Sequence, residues 1–535
     1  MQITPNAPRL DRSSLFQLLN NRFSEGDKKL SQIPNPALLQ DATKAAKKIA
    51  KTIQEKKKIT IVGDYDVDGV SSTAIMVDFF RQIPYPIEAI IPNRFKDGYG
   101  VSPTVLERIN TNLIITVDNG ISAIEAAHIC KQRGIELIIT DHHTPSEALP
   151  DAYAIVDPKL SSCNYLFKEI CGAQVAWLLL ALVKKELSLN IDMKQFLDIL
   201  AIAIIADIMP LIDINRALVK EGLNVLMSSN RPASIIIRDF LNKSSISSED
   251  IAFQIAPRVN SAGRLEDASI ALEFFAAETI EKAYAQFEKL NKLNEERKAT
   301  EAECTKEAIE SVNEVPHVII VAREGWHEGV IGIVAARLVD HFGRPAIVLS
   351  IKDGVAKGSA RSLGDVSIYE LIKDNEKFLN KFGGHKMAAG LSLDVKNLDS
   401  FREAVNFSAS KLDSKDFIPK DEVTGIITSD MIDFELLSLL DSFEPFGEAN
   451  PRPRFLIKNG YIVNIKIFGS DKSHSKITLK INPNDSKTVE LILFRKVLTM
   501  PVDRLITCSY TINKNEFNSQ INIQLLINKI YNWEF

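Results

Sequence analysis

At 535 residues the chain exceeds the size at which a single hydrophobic core stops growing, so three or four domains are expected. With 45% hydrophobic and 25% charged residues it is no fibrous or disordered chain, and five scattered cysteines without a C-x-x-C pair disfavour a disulfide scaffold and structural zinc. The formal net charge of −5 hides a division, because from Arg452 onward thirteen Lys and Arg stand against six Asp and Glu, about +7, which leaves about −12 on everything before.

The first five residues have neither the basic nor the apolar segment of a secretory signal. The apolar runs 175–183 and 199–212 are too short, or too interrupted by Asp207, to cross a bilayer, so a cytoplasmic protein with no membrane partner is expected. Residues 1–45 form a lead-in with one short amphipathic helix around 14–23. Lys44, Lys47, Lys48 and Lys51 then recur at helical spacing, as a solvated face does, with a phosphate-facing strip as the alternative.

Over 46–275, β-branched runs at 59–62, 87–91, 113–117, 137–140 and 154–156 alternate with helical stretches such as 70–81 and 122–133, the rhythm of a parallel α/β sheet. From 165 the chain reads as mostly helical, ending in a long charged connecting helix over 276–312. Strand signals at 317–321 and 346–351 around a helix at 330–342 predict a smaller α/β domain over 313–443. Residues 444–454, rich in Pro and Gly, read as a linker, and the remainder to 535, with alternating runs at 476–481, 489–494 and 521–527, as a basic β-barrel of the OB type.

Four segments place acidic residues or imidazoles just past strand ends or inside apolar runs. The first strand runs into Asp64, Asp66 and Asp68 with Gly69 easing the bend, and three carboxylates so close repel one another without a cation. A calcium loop of the EF-hand kind needs a preceding helix and a Glu at its twelfth position, where Ile75 stands. The third strand delivers Asp118 and the fourth Asp141-His142-His143, at the edge where α/β sheets hold ligands. Singly, an Asp after a strand is usually a cap or turn former. Asp207 sits within a wholly apolar stretch, where it needs a metal, an Arg or a cap. Carboxylates with one or two imidazoles suit Mn²⁺ or Mg²⁺, and two such ions serve phosphoester hydrolysis.

These motifs resemble the DHH phosphoesterase family. The likeness extends through residues 93–100, Arg258-Val259-Asn260-Ser261-Ala262-Gly263-Arg264, residues 326–332, Gly358-Ser359-Ala360-Arg361-Ser362 and residues 383–390, and covers about 45–455. It implies a parallel-sheet catalytic domain, a DHHA1-type second domain and the activity of a single-stranded-DNA-specific 5′ exonuclease. It further implies that Asp66, Asp68, Asp118, His142 and Asp207 hold two Mn²⁺ or Mg²⁺ ions, with Asp64 and His143 in close support. Arg94, Arg258, Asn260, Arg264, Ser359, Arg361 and His385 would face the DNA, some of them around a 5′-terminal phosphate. Single-strand-binding protein and a helicase are the implied partners, in DNA repair and recombination.

For the Gly-rich segment 383–390 a tight helix contact is the competing reading. Ala449 departs from the family pattern, which has Gly there. Tyr461, Phe468, Phe494 and Trp533 are available in the tail to stack on bases. Two other functions stay open: a phosphoesterase of short oligonucleotides, cyclic dinucleotides or pyrophosphate, and an inactive DNA-binding scaffold.

Overall fold

Strands β1 (Ile59–Val62), β2 (Glu88–Ile90), β3 (Leu113–Val117), β4 (Glu136–Thr140) and β5 (Ala154–Val156) form a five-stranded sheet in the order β2-β1-β3-β4-β5, every pairing parallel. This is a computed structural model, and it describes residues 6–531 except 24–25, 420, 470–471, 483, 500, 503 and 518–519; Trp533 lies outside the described residues. Strands β1 and β3 are buried along their whole length, as continuous apolar runs must be when helices cover both faces. Helices Ala42–Gln54, Val67–Arg81, Ile124–Gln132 and Gly172–Glu186 share this sheet's core. The chain leaves β1 for β2 on one side and returns to β3 on the other. The order therefore reverses between β1 and β3, where such sheets open a crevice at the C-terminal strand ends.

Beyond a run of helices, the 31-residue helix Ile280–Glu310 carries the chain to the second domain, started by Thr279, whose side chain accepts from Lys282 N. Glu301 on this helix binds Arg297 at 2.6 Å and Arg337 of the second domain at 2.9 Å, pinning the two together. The second sheet runs β6-β7-β8-β10-β9, from β6 (Ile319–Glu324), β7 (Ala346–Lys352), β8 (Val355–Arg361), β9 (Lys381–His385) and β10 (Ala388–Asp394). In it β6 and β7 pair in parallel and the remaining pairings are antiparallel. The Gly-rich segment 383–390 is the β9–β10 hairpin, not a helix contact, because residues 381–385 and 388–392 pair as an antiparallel ladder.

β11 (Arg454–Phe468), β12 (His474–Lys480), β13 (Val489–Leu493), β14 (Leu505–Phe517) and β15 (Gln520–Ile530) close into a barrel ordered β11-β12-β13-β15-β14. Closure removes the sheet edges that would otherwise invite pairing. The N-terminal lead-in belongs to this end of the molecule. Leu15 and Leu19 of helix Arg12–Asn20 are buried in one cluster with Leu436, Leu440 and Phe455, and Leu10 N donates to Ile426 O at 2.9 Å.

Residues 444–454 are a packed junction, not a free linker. Asn450 is buried and donates to the carbonyls of Phe443 and Pro445 at 2.9 and 2.8 Å, while Arg452 bridges Glu249 and Glu444. Ala449 has φ 59°, the left-handed region in which any residue but glycine costs about 1–2 kcal/mol, which is the physical reason glycine suits that position. On helix Ala42–Gln54, Lys44, Lys47 and Lys51 are exposed, whereas Lys48 is partly buried and pairs with Glu136, and Lys44 lies 4.9 Å over the Tyr153 ring.

Candidate metal and phosphate site

All five strands of the first sheet end on one rim, and four of them deliver a carboxylate there within two residues: Asp64 after β1, Asp118 after β3, Asp141 after β4 and Asp157 after β5. Asp66 caps helix Val67–Arg81 by accepting from Gly69 N at 3.1 Å, so its carboxylate is fixed by the turn itself. Asp68, one step into that helix, accepts from Gly172 N at 2.6 Å and Ala173 N at 2.9 Å, the free donors at the start of helix Gly172–Glu186. Gly172 has no room for a side chain, since a Cβ there would stand 2.5 Å from the Cβ of Asp118. Asp118 itself holds φ 63° and is buried.

His142 sits at the centre. Its Nε2 lies 3.1 Å from Asp118 Oδ1, 3.6 Å from Asp207 Oδ2 and 3.7 Å from Asp68 Oδ2. Burial holds this imidazole below its usual pKa, hence neutral, the form that offers a lone pair. Asp207 ends helix Leu197–Ala206, the pole that disfavours an anion. Burial, with Asp68 and Asp66 nearby, raises its pKa to about 9. Burial likewise raises Asp64, with Asp66 adding to it, and Asp118, with Asp68 adding to it.

Among the described residues, Asp64 Oδ1, Asp118 Oδ1, His142 Nδ1 and Asp207 Oδ2 are buried without a hydrogen-bond partner. Unpaired polar atoms at this density are costly unless something else occupies them. Among the described residues, three sets of donors converge within 4.8 Å: Asp118, His142 and His143; Asp68, His142 and Asp207; Asp64, Asp66 and Asp118. Asp118 and His142 each belong to two of the sets. An oxygen-rich donor set with one or two imidazoles, carrying surplus negative charge, fits hard divalent cations.

Two carboxylates escaped the expected site list. Asp141 Oδ1 accepts from His142 N at 2.8 Å, His143 N at 3.2 Å and His143 Nδ1 at 2.7 Å, and its Oδ2 from Ile121 N at 2.9 Å, so it orients the His143 ring and holds the turn that carries both histidines. Burial opposes charge on His143, yet the Asp141 contact keeps it protonated up to about pH 9. Asp157 is fully buried; desolvation lifts its pKa to about 7 despite the bond from Lys159 N. The signal for Asp157 was the same carboxylate after a strand, hidden because Val156-Asp157-Pro158 also reads as a turn.

Of the residues expected to meet DNA, four share one cavity of about 590 Å³ between the two α/β domains: Arg94, Arg264, Ser359 and Arg361. Arg94 packs over the Tyr65 ring at 5.4 Å, and Arg361 Nη1 donates to Ser359 Oγ at 3.0 Å. Burial, then the neighbouring cations Arg94, Arg297 and Arg361, lowers the Arg264 pKa to about 10, a concentration of positive charge that calls for an anion. A Cβ on Gly332 would lie 3.0 Å from Ser359 Oγ and 3.1 Å from Arg361 Nη2, so its absence leaves the space before those groups open.

Arg258 is elsewhere: it binds Asn291 at 2.6 Å and the Gln254 carbonyl and stacks 4.3 Å over Phe240. With Asn260 it lines a larger groove of about 760 Å³ that reaches Arg452 and Arg495, and Arg264 lines both spaces. His385 is exposed at the end of β9, in register with Ala388 and, across β10, with Arg361, but does not line the cavity of the four.

Residues 58–204 match the model of the DHH family, N-terminal domain, residues 316–411 that of the DHHA1 domain, and residues 423–529 that of the RecJ OB domain. The chain is 37% identical over 476 residues to the single-stranded-DNA-specific exonuclease RecJ of Bacillus subtilis, a match covering 86% of this chain but 59% of that protein. It is 32% identical over 563 residues to the exonuclease of the same name from Haemophilus influenzae, covering 98% of this chain and 96% of the other. The solved structure of RecJ in complex with Mn²⁺ from Thermus thermophilus superimposes with a TM-score of 0.78 at 26% identity, over 99% of this chain and 80% of that one.

Proposed function

The chain belongs to the RecJ family of DHH proteins, and from that membership we propose that it is a metal-dependent exonuclease that hydrolyses single-stranded DNA in the 5′ to 3′ direction, in DNA repair and recombination. The observation that carries the reading is the juxtaposition of three overlapping donor sets with a cationic cavity, at the crevice where the first sheet reverses its order.

Asp66, Asp68, Asp118, His142 and Asp207 would hold the ions, Mn²⁺ or Mg²⁺, with Asp64 and His143 beside them. A pair of such ions, when bound, supplies Lewis acidity toward a phosphate and makes water nucleophilic near neutral pH. Asp141 fixes the His143 imidazole and the backbone of His142, so that this turn needs no reorganisation as substrate arrives. Arg94, Arg264, Ser359 and Arg361 offer guanidinium forks and a hydroxyl to a terminal phosphate, and polarity follows from anchoring the 5′ end there. The larger groove, with Arg258 and Asn260, carries the strand on toward the basic barrel, whose stacking candidates include Phe468 and Phe494. A cleft fed by one strand needs that strand opened and kept open, the work of a helicase and a single-strand-binding protein.

The test compares 5′-labelled and 3′-labelled single strands, the matching duplex, dinucleotides and pyrophosphate, each with Mn²⁺. Release of labelled mononucleotide from 5′-labelled single strands, abolished by Asp118→Ala, is expected. Turnover confined to dinucleotides or pyrophosphate would overturn the proposal, as would an Asp118→Ala protein that still binds Mn²⁺ and degrades DNA.

A further inference from the structure

Helix Leu197–Ala206 ends in a way its sequence does not favour. Ile208 N donates to Ile205 O at 3.2 Å and Met209 N to Ile204 O at 3.1 Å, the paired bonds of a Schellman ending, with Ile208 in the left-handed position at φ 55°. That position is glycine's, and a β-branched residue there is a conformational outlier. Burial gives nothing back, because Ile208 is 68% exposed. Its side chain instead lines the larger groove, one residue from Asp207 of the carboxylate cluster.

A second exposed apolar side chain lines the same groove. Phe253 is 77% exposed and stands on the π-turn Ile251–Ile255, a helix irregularity of the kind that re-aims a side chain at functional sites. Among its largely apolar lining the groove presents Arg264 and Arg495, cations suited to a polyanion, while Arg297 and Arg337 are shared with Glu301. Basic walls that follow phosphates leave the bases to be met by something apolar, and a nucleobase presents a flat apolar face whatever its identity.

We propose that Ile208 and Phe253 are nucleobase contacts for the single strand, Ile208 against the base nearest the carboxylate cluster and Phe253 against one further along the groove. The assignment rests on the exonuclease reading above. Ile208 acts as a positioning residue: holding that base fixes the nucleotide whose phosphate meets the cluster, and the strained backbone is what projects the side chain into the groove.

The experiment measures kcat and KM on a single-stranded oligonucleotide with Mn²⁺, the thermal midpoint and Mn²⁺ affinity for wild type, Ile208→Gly and Phe253→Ala. Ile208→Gly relieves the left-handed strain, so its midpoint is expected to hold or rise while kcat/KM falls about tenfold, the order of one lost base contact. Phe253→Ala, far out on an exposed side chain, is expected to raise KM about tenfold with kcat retained. On strands with an abasic residue at one of the first few positions, wild type and Ile208→Gly are expected to converge. Wild-type kinetics in both variants would overturn the inference, and a loss of Mn²⁺ affinity matching the loss of rate would overturn the role of Ile208. A wild-type protein inert on single strands would overturn the exonuclease reading and this inference with it.

Discussion

Asp141 Oδ1 accepts from His143 Nδ1 at 2.7 Å while the same oxygen takes the backbone N–H of His142 at 2.8 Å, so one buried carboxylate sets the pose of the His143 imidazole and anchors the main chain at His142. From that anchored main chain the ring of His142 reaches Asp68, Asp118 and Asp207. Removing the charge without the shape isolates this role. Asp141→Asn is expected to fold normally by circular dichroism and to lose about 10–100-fold in Mn²⁺ affinity, measured by calorimetry, the usual cost of an outer partner to a ligand. Unchanged affinity would show that Asp141 merely fills space.

Gly172 tests the packing of the same site from the other side. A methyl group at this position would press on Asp118 from 2.5 Å and displace the turn whose N–H groups hold Asp68. Gly172→Ala is expected to cost about 1–3 kcal/mol of stability by overpacking and to weaken Mn²⁺ binding. Denaturant titration and calorimetry read the two losses separately.

The raised carboxylates set a pH dependence. Burial, with Asp68 and Asp66 nearby, lifts Asp207 to about 9, whereas an unfolded Asp titrates near about 3.9. The folded, metal-free protein thus keeps a proton that the unfolded chain gives up, and this contribution to stability is full below about pH 4 and lost as pH rises toward about 9. A cation replaces that proton. The thermal midpoint of the metal-free protein is expected to fall from about pH 6 to about pH 9, and the rise caused by Mn²⁺ to be larger at the upper end. A shift of equal size at both pH values would contradict it.

Arg361 and Ser359 make a prediction about the end of the strand. Arg361 keeps one guanidinium nitrogen on Ser359 Oγ and on the Ala360 carbonyl, which holds the fork in the cavity it shares with Arg94 and Arg264. Arg361→Gln is expected to lower kcat/KM on 5′-phosphorylated strands about 10–100-fold, the range of a hydrogen bond to a charged group, and to change 5′-hydroxyl strands little. An equal loss on both substrates would place the terminal phosphate elsewhere.

Much of the first sheet and its rim was legible from the chain because the signals are local. An apolar β-branched run predicts a buried strand, and the residue after it lies at the strand's end, so Asp64, Asp118 and the histidines after β4 could be read off directly. The same logic applies to Asp157, which went unread because a lone Asp before a proline is also an ordinary turn and nothing local separates the two. Asp207 was singled out by its apolar surroundings rather than by its neighbours in space, Asp68 of helix Val67–Arg81 and His142 after β4.

By itself, then, the sequence determined the order of the domains, the rim on which the carboxylates stand and the charge asymmetry that marks the barrel. Only the folded chain decided which long-range partners complete each element. Leu15 and Leu19 enter the core beside the barrel more than four hundred residues away, Arg258 turns to Asn291 and Phe240, residues 444–454 lock into a junction, and Ile208 is forced into glycine's conformation with its side chain in a groove. The physical reason is range. Strand propensity and capping act over a few residues and leave a periodic trace, whereas packing and buried charge depend on groups that become neighbours only once the backbone has closed.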